Sequence, residues 1–235
     1  MKSIVLYIYF VFYMIGISFK RIKLNYLKKH KGEKAAQEYI YLAASKWAKH
    51  ILKIVGVKVE CEGLENIPSE ACCFISNHQG NFDFIAIMAT IDKPIGFIAK
   101  KEMQKLKILS VWMKDLKCVF IDRNNIRESL KAINEGAENL KKGNSMLIFP
   151  EGTRSKSKNL GEFKKGSLKM ALKAKAPIVP ITVDGSYKIF EDHNGWLRKG
   201  TIRLVVDKPI YPDELPREEQ KNLTEIIRNE IEKNL

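Results

Sequence analysis

The run NHQGNFD places His78 and Asp83 with four residues between them, and these two side chains could move a proton. An imidazole takes up a proton near neutral pH. A carboxylate bonded to one of its ring nitrogens fixes the tautomer and steadies the imidazolium as it forms. The pair stands between the apolar runs CCFIS and FIAIMA, where a strand pattern gives way to a helix pattern. Ligands of α/β sheets bind at that edge. A plain polar turn with Asp83 as a helix cap would use the same residues. The sequence has no G-x-S-x-G elbow, and none of its four cysteines stands in an activating setting. A base with its orienting carboxylate but no enzyme nucleophile assigns the attack to a hydroxyl of the substrate. That is transfer chemistry.

A second constellation, FPEGTRS, spans Phe149 to Ser155 and follows the strand-like run SMLI. Gly152 and Thr153 can offer backbone N–H groups at such a turn, and the fork of Arg154 matches phosphate oxygens. An ordinary turn carrying a surface arginine is the competing reading. Arg123 ends another strand-like run, while Lys100 and Lys101 read as solvated surface lysines. The run GEFKKGS has the glycine spacing of a phosphate-binding P-loop. Ser167 stands where that motif requires lysine, so a nucleoside triphosphate site is rejected.

Short β-rich runs must hold these groups: VKVEC, CCFIS, IGFIA, CVFI, SMLIFP, PIVPITV and TIRLVV. Between them the spacing predicts helices over 84–91, 108–116, 126–142, 167–175 and 216–233. Alternation of this kind predicts an α/β fold, a central and mostly parallel mixed sheet flanked by helices. The loop 156–165 should lie near the working edge.

The chain has 235 residues and a formal net charge of +14, an excess that suits an anionic partner. Cys61, Cys72, Cys73 and Cys118 form no C-x-x-C and show no metal-ligand spacing with histidine, so neither a zinc site nor a disulfide framework is expected. Ser3 to Phe19 carries no charge, and the next fifteen residues hold Lys20, Arg21, Lys23, Lys28, Lys29, Lys31 and Lys34 against Glu33 alone. Without a cleavage site, this is not a secretory signal. An apolar segment followed by a basic cluster reads as membrane-associating and cytoplasmic, facing anionic head groups. A buried helix with a solvated basic loop is the alternative. A further helix is predicted over 33–55, on which Tyr41 and Trp47 are either interfacial anchors or packing residues. The division is thus 1–55 for membrane-associating helices and 56–235 for the α/β domain.

Taken together, these pieces resemble the 1-acyl-sn-glycerol-3-phosphate acyltransferase family. The resemblance rests on NHQGNFD for its H-x4-D block, FIDR for the second, FPEGTRS for the third and VPITV, residues 179–183, for the fourth, in that order. It implies that His78 deprotonates an acceptor hydroxyl and that Asp83 orients His78. It also implies that Lys101, Arg123 and Arg154 bind the acceptor phosphate, with Glu151 serving acceptor binding or site architecture. The glycine that usually precedes the second block is replaced here by Lys117.

The function so implied is transfer of a fatty acyl group from acyl-CoA or acyl-carrier protein to the sn-2 hydroxyl of the lysophospholipid acceptor 1-acyl-sn-glycerol-3-phosphate, giving phosphatidate. No cofactor is required, since the thioester stores the driving force. The competing acceptors are glycerol-3-phosphate or another lysolipid. A non-catalytic membrane-binding module would not need His78 and Asp83 together. Nucleic acid is not an expected partner, because the basic residues adjoin an apolar segment instead of interleaving with exposed aromatics.

Overall fold

The structure is a computed structural model and describes residues 2–235; Met1, the first residue of the expected amino-terminal segment, lies outside the described residues. Three helices come first: α1 (Lys2–Ser18), α2 (Lys20–His30) and α3 (Gly32–Val55). The sheet strands are β1 (Val57–Glu62), β2 (Cys73–Ser76), β3 (Ile95–Lys100), β4 (Val119–Ile121), β5 (Ser145–Ile148), β6 (Ile178–Asp184) and β7 (Gly200–Val206). They alternate with α4 (Asp83–Thr90), α5 (Lys107–Asp115), α6 (Ile126–Lys141), α7 (Lys169–Ala174) and α8 (Arg217–Lys233).

All seven strands join one sheet in the order β1-β7-β6-β2-β5-β3-β4. Every pairing is parallel except β6 with β7. The mostly parallel mixed sheet read from the sequence is the one found. Alternate residues of its central strands supply two separate cores. Phe74, Leu147, Val179, Ile181 and Val183 face one core with residues of α3, α4 and α5. Cys73, Ile75, Met146, Ile148 and Ile178 face the other, with α6, α7 and α8. Phe74 and Ile75 are fully buried on opposite faces, each contributing about 1.5–3 kcal/mol.

The solvated basic loop of the alternative reading is not found, since residues 20–30 form α2. Leu24 supplies its buried contact. Its charges find a counter-ion in Asp115 at the end of α5, which lies 3.0 Å from Arg21 and 3.0 Å from Lys28. On α3, Tyr41 and Trp47 are buried, so both are packing residues and not anchors. The Tyr41 hydroxyl donates to the carbonyl of Ile91 at the end of α4, and Trp47 meets Phe10 of α1 edge-on at 6.4 Å. Lys117 has φ +61°. This is the left-handed backbone a glycine would take at that place, held by a lysine whose ammonium lies 2.6 Å from Glu33.

The strand directions bring five carboxyl ends to one edge: those of β2, β3, β4, β5 and β6. The candidate residues leave the sheet there.

Candidate active site

β2 ends at Ser76 and α4 begins at Asp83, so NHQGNFD is the connection between them. Asp83 is the first residue of α4, and Phe82 occupies the cap position with no side-chain cap bond. The helix-cap reading therefore fails, and the carboxylate turns back into the connection. It is completely buried. A buried charge is costly unless donors surround it. Asp83 Oδ2 accepts from His78 Nδ1–H at 2.6 Å and from the Gly80 N–H at 2.9 Å. Its Oδ1 accepts from the hydroxyl of Ser186. A carboxylate can only accept, so the proton sits on Nδ1 and the other ring nitrogen, Nε2, is left as the base. The His78 ring lies against Phe149, 4.1 Å between centroids and 15° from parallel, and 17% of its side chain remains exposed.

FPEGTRS follows β5 beside it. Glu151 is buried and joins the two blocks. One carboxylate oxygen accepts from the His78 N–H at 2.7 Å and the other from the Gly161 N–H at 3.0 Å. Burial pushes its pKa above the ordinary glutamate value, and these two backbone donors partly oppose the rise. The loop after the block runs back along the edge, as expected for 156–165. Ser155 N–H donates to the His78 carbonyl at 2.8 Å, and Lys156 N–H to that of Gln79 at 3.1 Å.

The phosphate-binding candidates are distributed unevenly. Gly152 closes its own turn, its N–H donating to the Phe149 carbonyl at 3.1 Å, so that amide does not face a ligand. Its carbonyl instead takes Nη1 of Arg123, which fastens the FIDR block to this turn. Thr153 is exposed on the turn. Arg154 Nη1 donates to Asn81 Oδ1 at 2.8 Å and to Glu191 Oε1 at 2.9 Å. Lys101 pairs with Asp122, the neighbour of Arg123, at 3.2 Å and lines a groove with Glu102, Gln104 and Lys105. Next to Phe149 and Gly152 lies an apolar cavity of about 270 Å³, walled by Ile98, Ile121, Leu130 and Ile133, with Arg123 and Lys164 among its lining.

Two residues that no motif singles out complete the arrangement. Ser186 bonds Asp83. Glu191, with only 3% of its side chain exposed, accepts from the Asn81 N–H at 2.9 Å as well as from Arg154. Gly80 leaves room for it, since a Cβ there would stand 2.5 Å from Glu191 Oε2. Both lie more than a hundred residues after His78, and only the threading of β6 between β2 and β7 brings them in.

Residues 58–184 match the family model described as Acyltransferase. The chain belongs to this acyltransferase family. The matched segment contains all four sequence blocks. The acyltransferase is 34% identical over 193 residues to a probable 1-acyl-sn-glycerol-3-phosphate acyltransferase of Mycoplasma pneumoniae, covering 77% of this chain and 72% of that one. It is 31% identical over 204 residues to the corresponding protein of Mycoplasma genitalium, covering 82% and 74%. Its fold matches the crystal structure of the 1-acyl-sn-glycerophosphate acyltransferase PlsC from Thermotoga maritima with a TM-score of 0.84 at 26% identity, across 100% of this chain and 96% of that one.

Proposed function

We propose that this acyltransferase moves a fatty acyl group from acyl-CoA or acyl-carrier protein to the sn-2 hydroxyl of 1-acyl-sn-glycerol-3-phosphate, producing phosphatidate and a free thiol. The observation that carries the reading is the 2.6 Å bond between His78 Nδ1 and a fully buried Asp83, at the sheet edge where the half-exposed FPEGTRS turn also lies. His78 Nε2 takes the proton of the acceptor hydroxyl while its oxygen attacks the thioester carbonyl carbon. The tetrahedral intermediate collapses, the C–S bond breaks, and the proton passes from the imidazolium to the departing thiolate. Asp83 steadies the imidazolium between the two transfers. The energy comes from the thioester, so no step calls for a metal or redox group.

Arg154 supplies the charge for the acceptor phosphate, with Arg123 behind the same turn. Lys101, held by Asp122 next to Arg123, adds positive charge from the same edge. Glu151 is architectural, because both of its oxygens are occupied by backbone donors. The apolar cavity beside Phe149 suits an acyl chain.

Residues 1–55 place this site at an anionic membrane surface, on the cytoplasmic face. Supporting this, α1 buries Met14 and Ile17 against the body and leaves Ile4, Val5, Ile8, Val11 and Phe12 at least half exposed. An apolar face of that extent, next to the basic α2, suits lipid. The experiment is an acyl-transfer assay of the full chain in mixed vesicles. Its acceptors are lysophosphatidate, glycerol-3-phosphate and a lysolipid without the phosphate. Selective turnover of lysophosphatidate supports the reading, and a preference for the unphosphorylated acceptor would overturn it.

A further inference from the structure

We propose that Ser186 is a positioning residue for the acyl transfer, acting on His78 through Asp83; the role rests on the reading of His78 as the base. Ser186 lies outside the four sequence blocks and two residues beyond the segment matched by the family model. Its side chain is fully buried. The hydroxyl cannot meet a substrate there, so it is not a nucleophile. It donates to Asp83 Oδ1, the oxygen that His78 and Gly80 leave free.

The surrounding chain is arranged to deliver this one hydroxyl. Asn77 meets the end of β6 twice: its Nδ2 donates to the Val183 carbonyl at 2.8 Å, and the Val183 N–H donates to its Oδ1 at 2.8 Å. Two residues on, Gln79 Oε1 accepts from the Gly185 N–H at 2.9 Å. The neighbours of His78 on either side thus clamp the strand end that carries Ser186. The chain then turns at Gly185 with φ +88°, where a Cβ would stand 2.8 Å from the Thr201 carbonyl oxygen. Only glycine fits that turn.

With both oxygens engaged, the carboxylate plane is locked and Oδ2 stays aligned with Nδ1. Without the Ser186 hydroxyl, Oδ1 becomes a buried acceptor with no partner, and rotation of the carboxylate towards other donors moves Oδ2 off the imidazole. What would suffer is the step that forms the imidazolium. Substrate binding, which uses other groups, would not.

The test compares the full chain with Ser186→Ala, Ser186→Cys, Asp83→Asn, the Asp83→Asn/Ser186→Ala pair and His78→Ala, in vesicle assays with lysophosphatidate and acyl-CoA. Ser186→Ala should lower kcat by about ten- to a hundredfold, as expected for losing a hydrogen bond to a charged group, with both KM values unchanged within about twofold. In the Asp83→Asn background the same substitution should change kcat by less than about twofold, because the effect is routed through the carboxylate. Ser186→Cys keeps a weak donor, should recover part of the loss, and carries the comparison if the alanine variant does not fold. The proposal is overturned if folded Ser186→Ala turns over like the wild type. It is equally overturned if the two substitutions multiply fully, or if the loss appears only in KM. Wild-type turnover by His78→Ala would instead remove the base assignment itself, a separate result.

Discussion

The guanidinium of Arg154 lies 2.9 Å from the carboxylate of Glu191, which has 3% of its side chain exposed against 35% for the arginine. The arginine best placed for an acceptor phosphate is therefore also the counter-ion of a buried acid. Arg154→Ala removes both functions together. It should weaken phosphate-bearing acceptors by about ten- to a hundredfold and also lower the melting temperature, because Glu191 loses its charge partner. Arg154→Ala/Glu191→Gln separates the two. Stability should return while the acceptor KM stays high, measured by thermal melting and by kcat/KM for lysophosphatidate. Recovery of both together would make Arg154 structural only.

Glu151 gives a pH signature. Burial raises its pKa in the folded chain above the unfolded value of about 4.3, so the folded state holds more protons between the two values. Its contribution to stability is complete below the unfolded value and is lost as pH rises through the folded one. Glu151→Gln should flatten this part of the stability–pH curve in denaturant titrations run from about pH 4 to 7. An amide has one acceptor oxygen for two backbone donors, so the variant must also release either His78 or the loop at Gly161. Turnover should fall without a matching change in acceptor KM.

The outward face of α1 predicts a membrane defect without a folding defect. Ile8 and Phe12 are 54% and 69% exposed, so Ile8→Glu/Phe12→Glu should change stability by no more than about 0.5 kcal/mol. Flotation with anionic vesicles should drop severalfold at about 0.15 M salt and should not be restored by lowering the salt, since the lost term is apolar insertion. Cutting the chain at Val57 would be a poorer test. It removes α3, whose Ile40, Ala44 and Ala48 are part of the core.

Much of this fold could be read from composition and period. Each strand is a short β-branched or aromatic run between turn signals, and all seven runs became strands. Helix α2 was hidden because the many lysines among residues 20–30 look like a solvated loop. What makes them helical is tertiary: the burial of Leu24 and a counter-ion, Asp115, some ninety residues away. The site divides in the same way. His78 and Asp83 share one connection, so their spacing alone suggested a pair. Ser186 and Glu191 reach them only because β6 is inserted beside β2, which no local pattern encodes. Gly152 shows the reverse error, as its turn looked open in sequence but is closed by the carbonyl of Phe149.

The most direct test of the central claim is single-turnover formation of phosphatidate by purified His78→Ala in anionic vesicles, with lysophosphatidate and acyl-CoA saturating. His78 makes its side-chain bond to Asp83 at a partly exposed position, so the variant should fold and bind both substrates. The account predicts a rate lower by about 10²–10⁴-fold in a protein that still folds, with a melting temperature somewhat lowered because buried Asp83 loses one of its donors. A folded His78→Ala protein that makes phosphatidate at close to the wild-type rate would contradict it.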